Sequence, residues 1–278
     1  MPTFLINEED KKVKKIMKIV GIIVAIVILV LVVVSVVLAG SMGGIGPFKF
    51  LHDNKIKSHA GNAEVYALEN VEALESSPLN DKNILFLGSS VTKGACALDT
   101  SMADYIGILD GANITKEAVS GTTLATVKDN NYVERMEKLD TSASYDIVVV
   151  QLSTNDASQN VSLGSLSTST DRADFDTDTV MGAIEYIISY CRDTWNCPVV
   201  FYTGTKYDSE NYEAMVAGLN EIADKWGIVV IDLWNDADMN AVSDEDYALY
   251  MYDGIHPSQA GYLLWWTPKF EEVLYELD

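Results

Sequence analysis

Histidine is scarce in this chain, with three in 278 residues. His52 and His59 precede the region where strand-like and helix-like segments begin to alternate. A site that needs an imidazole near neutral pH therefore has only His256 to draw on. Cysteine is equally rare, and Cys96, Cys191 and Cys197 show no Cys/His spacing of the kind that announces zinc. Cys191 and Cys197 fall between a predicted helix end and a predicted strand start. Their separation is compatible with a disulfide, and equally with small buried hydrophobes. Positive charge is short too, with 19 Lys and Arg against 41 Asp and Glu. Such a balance repels nucleic acid and anionic headgroups, so neither is expected as a partner. There are no internal repeats.

What is present begins with one long apolar run. Ile19 to Ala39 carries no charge and is nearly all Ile, Val, Leu, Ala and Gly. At ~1.5 Å per helical residue, ~20 such residues cross a ~30 Å hydrocarbon core. Lys11, Lys12, Lys14, Lys15 and Lys18 precede the run, and no charge follows until Lys49. That asymmetry holds the first 18 residues in the cytoplasm and places the C-terminal bulk outside. The run exceeds the ~7–15 residues of a secretory signal, which favours an uncleaved anchor over 19–39. Val37-Leu38-Ala39 keeps the alternative of cleavage and secretion open. From Ser41 onward, 14 basic residues face 38 acidic ones, a net charge of −24. Residues 40–80 read as a Gly-rich juxtamembrane linker with a short helix over 62–75, and the domain proper as 81–278.

From residue 84 a rhythm sets in. Short continuous apolar runs at 84–87, 147–152, 199–202 and 228–233, with a weaker one at 112–119, read as parallel strands buried on both faces. Stretches of helical period lie between and after them, at 102–109, 132–139, 179–192, 212–226 and 258–277. The alternation predicts a three-layer α/β/α flavodoxin-like fold, a five-stranded parallel sheet in the order 2-1-3-4-5. In such sheets ligands bind beyond the carboxyl ends of the strands.

Four pieces fall at or near those ends. They are Gly88-Ser89-Ser90-Val91-Thr92, Ser120-Gly121-Thr122, Ser153-Thr154-Asn155-Asp156 and Asp253-Gly254-Ile255-His256-Pro257. Ser90 offers a hydroxyl at a helix N-terminus, where the dipole favours developing negative charge. Asp253 precedes His256 by three residues, a spacing that lets a carboxylate fix the imidazole tautomer. Gly121 offers a main-chain N–H unshielded by a side chain, and Asn155 an amide. Alone, each is also a turn or cap residue. Together they supply a nucleophile, a base with its orienting acid, and oxyanion donors.

In this order the four blocks resemble the SGNH (GDSL-like) hydrolase family over roughly residues 82–270. The resemblance implies Ser90 as nucleophile, His256 as base and Asp253 as its acid partner. It implies an oxyanion hole from Ser90, Gly121 and Asn155, and neither metal nor organic cofactor. Family members are esterases, lipases, thioesterases and carbohydrate deacetylases. Two positions depart from the family pattern: Ser89 stands where Asp is usual, and Ser153 where Gly is usual. Ser89 alters hydrogen bonding beside the nucleophile, and Ser153 narrows the cleft. Ser90 is followed by Val91-Thr92, so the G-x-S-x-G elbow of α/β-hydrolases is missing.

The expected substrate is a small acyl ester, with acetyl groups on carbohydrate favoured by the outward location. An acyltransferase on surface glycans and a non-catalytic glycan-binding domain are the alternatives. Three weaker signals complete the reading. Asp174, Asp176, Asp178 and Glu185 match part of a calcium loop, but Thr179 occupies the position that needs Gly, and acids opening a helix explain the run more simply. Trp265 and Trp266 read as core and rim packing rather than a sugar platform. The 153–178 stretch is the longest irregular insert and is expected to wall the site.

Overall fold

In the computed structural model, residues 8–44 and 46–277 are described; the first seven residues of the predicted cytoplasmic tail lie outside that range. The chain divides into two compact units, Met1–Lys57 and Ser58–Asp278. In the first, α1 spans Glu8–Gly43 and α2 spans Lys49–Lys57. Glu8–Ser41 is the one helix among the described residues long and apolar enough to cross a membrane, and its side chains are exposed along the apolar stretch. Within the described residues the helix extends well before the apolar run, from Glu8 onward.

The second unit carries a five-stranded, all-parallel sheet in the order β2-β1-β3-β4-β5. The strands are β1 (Asn83–Gly88), β2 (Asn113–Ala118), β3 (Ile147–Gln151), β4 (Val199–Tyr202) and β5 (Val229–Ile231). The sheet is the one the apolar runs predict, and its order matches. β3 and β4 are buried throughout, as their runs of Val, Ile and Phe demand, up to the terminal Gln151 and Tyr202. β2 at one edge is polar and only partly covered, and β5 at the other is three residues long, which blunts both edges.

Helices cover both faces, and each face has its own core. On one, Leu85, Leu87, Val148 and Val150 pack with α5 (Tyr132–Glu137), α7 (Val180–Trp195) and α8 (Glu210–Trp226). On the other, Ile84, Phe86, Val149 and Val200 pack with α4 (Met102–Asp110) and the C-terminal helical segment. Alternate strand residues thus feed opposite cores, as the pleat requires. Two short helices, α3 (Ser90–Lys93) and α6 (Thr154–Ser158), follow β1 and β3, and α9 (Asp244–Tyr250) precedes the histidine block.

Three expectations need correction. The helix expected over 62–75 is instead a string of 3₁₀ turns at Ala60–Asn62, Glu64–Tyr66 and Leu68–Asn70, with extended Ala63 and Ala67 between them. Carbonyls a helix would use internally are taken by side chains: Tyr105 Oη donates to Tyr66 O at 2.6 Å and Asn70 Nδ2 to Glu64 O at 2.7 Å. This strap lies within the second compact unit, Ser58–Asp278. Second, the helix expected over 258–277 is α10 (Gln259–Gly261), a π-helical turn (Tyr262–Trp266) and α11 (Thr267–Leu274). Pro268 has no N–H to give Leu264 and its ring crowds that carbonyl, so the regular ladder breaks there. Trp265 and Trp266 are core residues, as expected.

Third, the middle of the insert, expected to wall the site, is held elsewhere. Glu185 is fully buried, and Oε1 is bound by Lys225 Nζ and, at 3.0 Å, by Trp226 Nε1. Oε2 accepts the Ser167 N–H at 2.9 Å. The middle of the insert is therefore fastened over α7 and α8. Only its two ends reach the loop after β2: Asn155 and Asp156 at the start, and at the far end Thr177 O, which accepts the Thr126 N–H at 2.8 Å.

Candidate active site

β2, β1 and β3 are neighbours in the sheet, so their carboxyl ends deliver Gly121, Ser90 and Asn155 to one edge. Ser90 opens α3 directly after β1. The turn needs glycine at 88, because a Cβ there would meet Thr92 Oγ1 at 1.6 Å and Gln151 Oε1 at 2.8 Å. Gln151, the last residue of β3, lies under the turn. Its Oε1 accepts the N–H groups of Ser89 (2.9 Å) and Thr92 (3.2 Å) and the Thr92 hydroxyl (2.8 Å). The Ser89 hydroxyl turns inward to the same oxygen at 3.3 Å. Where a carboxylate would add charge, this chain has a neutral buried hydroxyl.

The histidine is brought in by a closed loop. Met251 and Pro257 form an antiparallel bridge, Tyr252 N donates to His256 O at 2.9 Å, and Ser258 N donates to Tyr250 O at 2.7 Å. Ser258 then caps α10. Asp253 Oδ1 accepts the main-chain N–H groups of Ile255 and His256, both at 2.8 Å, which fixes the carboxylate within its own loop. Asp253 Oδ2 lies 2.9 Å from His256 Nδ1, and His256 Nε2 lies 2.8 Å from Ser90 Oγ. The three side chains, 166 residues apart at the extremes, form one continuous hydrogen-bonded chain. Burial pushes the Asp253 carboxyl up, but the bonds and charge it exchanges with His256 outweigh this and hold it below its ordinary value. It is a carboxylate at neutral pH, so it accepts from Nδ1–H and leaves the Nε2 lone pair toward Ser90.

The donor side is built from the other two blocks. Gly121 has φ +81°, a conformation that side chains resist, and a Cβ there would meet nothing within 4 Å. Conformation demands this glycine, and the space beside it is open. Neither its N–H nor that of Ser90 is bound to an acceptor among the described residues. Asn155 is half-buried in α6, and its Nδ2 gives one hydrogen to Thr122 O at 3.1 Å, leaving the second. Ser153 caps this helix, its Oγ accepting the N–H groups of Asn155 (3.2 Å) and Asp156 (3.3 Å). Ser153 is thus fully buried and engaged in capping; it does not line the cleft as expected. Asp156, also buried, accepts the N–H groups of Leu124 (2.7 Å) and Ala125 (3.1 Å) and so ties the Gly121 loop to α6.

Three supporting residues went unseen in the sequence. Gln151 is a polar residue ending a fully buried strand, a visible irregularity. Arg135 is 4% exposed and donates to Gly88 O (2.8 Å), Thr122 Oγ1 (3.2 Å), Glu117 O (2.9 Å) and Glu117 Oε1 (3.0 Å). It clamps the end of β1 to the Gly121 loop; a charge on the inner face of a predicted helix was its only signal. Tyr262 Oη donates to Val91 O at 2.6 Å from the π-helical turn, which no sequence pattern announced.

Fold and site together define a three-layer α/β hydrolase with its functional groups on the carboxyl edge of a parallel sheet. Residues 86–264 match the GDSL-like Lipase/Acylhydrolase family, and the chain belongs to that family. It is an SGNH-type hydrolase. One solved structure is 27% identical, with a TM-score of 0.59, covering 71% of this chain and 98% of its own. A Lactobacillus plantarum protein of known structure is 21% identical (TM-score 0.57, 70% and 97% covered). The acetyl xylan esterase AlAXEase is 18% identical (TM-score 0.51, 69% and 99% covered) and shares the fold. No curated protein matches the chain.

Proposed function

We propose that this chain is a membrane-anchored serine esterase whose catalytic domain faces outward and removes small acyl groups, acetyl foremost, from carbohydrate. The continuous contact from Asp253 through His256 to Ser90, at 2.9 and 2.8 Å, carries the reading. Ser90 Oγ attacks the ester carbonyl while His256 Nε2 takes its proton. Asp253 stabilises the imidazolium without itself taking the proton. The N–H groups of Ser90 and Gly121 and the free amide hydrogen of Asn155 receive the oxyanion. The C–O bond to the alcohol breaks, and the alcohol leaves with the proton held by His256. A water then loses a proton to His256 and attacks the acyl-serine, releasing the carboxylic acid and restoring Ser90.

Location rests on α1 and the five lysines at its start, which hold that end in the cytoplasm. The substrate reading rests on that location and on the fold, which an acetyl xylan esterase shares. The test is hydrolysis of p-nitrophenyl acetate, longer acyl esters and acetylated xylan by the full chain in detergent, beside Ser90→Ala and His256→Ala. Turnover of the short esters that disappears in both variants supports the reading. Acyl transfer to a glycan without net hydrolysis would replace it with a transferase.

A further inference from the structure

One thiol lies beside the proposed base. Cys96 Sγ, a carboxylate oxygen of Asp253 and a ring nitrogen of His256 all lie within 4.8 Å of one another. Cys96 follows α3, 157 residues before Asp253, so no local spacing could announce the group. Its backbone is anchored to the histidine region through one side chain. Asn62 Nδ2 donates to Cys96 O at 2.8 Å, and Asn62 Oδ1 accepts the Gln259 N–H at 2.9 Å. Thiol, imidazole and carboxylate are thus held together by the fold.

A soft thiolate, an imidazole and one carboxylate form a donor set suited to zinc, whereas magnesium and calcium prefer oxygen alone. Tetrahedral zinc, with Zn–S ~2.3 Å and Zn–N ~2.0 Å, sets sulfur and nitrogen about 3.6 Å apart. A thiol rotation or a loop shift of about 1 Å closes the group to that geometry. His256 Nδ1 and Asp253 Oδ2 lie 2.9 Å apart.

We propose that Cys96, Asp253 and His256 form an inhibitory site for a thiophilic divalent cation, zinc in particular. The inhibitory part rests on His256 being the base. On binding, the thiol proton passes to solvent and the ion takes the lone pair of one ring nitrogen. If that nitrogen is Nδ1, the ring proton is confined to Nε2, which can no longer accept from Ser90. If it is Nε2, the lone pair facing Ser90 is itself taken. Either way the base is lost while the fold stands. Three protein ligands leave the fourth position to water.

The test uses the full chain in detergent, stripped of metal. CdCl₂ reports binding through the ultraviolet thiolate-to-cadmium charge-transfer absorption, and ZnCl₂ reports inhibition relative to each protein's own metal-free rate. Expected are a saturable charge-transfer band at one equivalent, zinc inhibition reversed by EDTA, and no effect of MgCl₂. Cys96→Ser should lose the band and need ~10-fold or more zinc for half inhibition, on the scale of a lost metal-site contact. Cys191→Ser should keep both. A band that survives in Cys96→Ser, or equal zinc sensitivity of Cys96→Ser and wild type, overturns the site. If Cys96→Ser fails to fold, a band in Cys191→Ser that does not weaken when His256→Ala is added overturns it equally. A normal band in a protein without esterase turnover leaves the metal site standing and removes the hydrolase reading instead.

Discussion

Replacing Arg135 by Met should cost about 3 kcal/mol of domain stability and slow turnover, although Arg135 touches none of Ser90, Asp253 or His256. The guanidinium donates to Gly88 O, Thr122 Oγ1, Glu117 O and Glu117 Oε1, and its Nε to Asn130 O at 3.1 Å. Hydrogen bonds to a charged group contribute ~1.5–3 kcal/mol each, but not all of these are lost without replacement. Gly88 O keeps the Val119 N–H at 3.3 Å, and Thr122 Oγ1 keeps its bond to Val119 O at 2.7 Å. The Glu117 side chain is 31% exposed and Asn130 is at the surface, so water reaches both. The bond to Glu117 O goes unreplaced and Gly88 O keeps one of its two, so about two charge-assisted bonds are lost, which gives ~3 kcal/mol, the low end for breaking a buried pair. For a domain of this size that is a fall in Tm of ~6–12 °C. The five tryptophans all lie at 195–266, so intrinsic fluorescence reports this domain and not α1. Arg135→Lys keeps a cation near the Tyr132 ring, over which the guanidinium sits at 5.2 Å, but cannot bridge both loops, and should fall between. Because the clamp joins the Ser90 turn to the Gly121 loop, kcat should fall more than KM rises. A Met variant within ~0.5 kcal/mol of wild type, as for an ordinary surface change, would refute the clamp.

Gly121→Ala should cost ~1–2 kcal/mol from its positive φ, with no steric clash, and reduce kcat by displacing the N–H; equal kcat would remove Gly121 from the oxyanion hole. Asp253→Asn should lower kcat ~10³–10⁴-fold by presenting the wrong tautomer, with the domain still folded by fluorescence. Glu271 is pushed up to about 7 by burial and by the charge and hydrogen bond of Asp110. Its folded value exceeds its unfolded one, so the folded state binds the extra proton, and stability is lost as pH rises through about 4.5 to 7. Glu271→Gln should therefore melt higher than wild type at about pH 8 and alike at about pH 4 in thermal scans; an equal gap at both would contradict the assignment. Cys191 and Cys197 are free thiols, with Cys191 Sγ 3.7 Å from Met136 Sδ, so thiol titration of the unfolded, unreduced chain should count three.

The sheet was legible because β-branched runs such as Ile147–Gln151 have no other reading at that length, and the strand order followed from their alternation with helices. The site was legible because each of its four blocks carries chemistry on a few adjacent residues. What lay hidden was long-range or came from a local break. The strap at 60–70 has the composition of a helix, and only carbonyl bonds to Tyr105 and Asn70 show why it is not one. Ser153 looked like a cleft residue because it stands where the family pattern has Gly; the cap it makes depends on where α6 starts. Arg135, Gln151 and Tyr262 act on Gly88, Ser89 and Val91 across 47, 62 and 171 residues, distances over which a single sequence carries no pairing signal.

The central claim, that Ser90 is a nucleophile activated by His256, is tested most directly by covalent labelling. The full chain in detergent is treated with a fluorophosphonate and the adduct located by peptide mass spectrometry. The account predicts one adduct, on Ser90, strongly slowed in His256→Ala and unaffected in Cys191→Ser. An adduct on another residue, or none on a chain whose tryptophan fluorescence shows it folded, would contradict it.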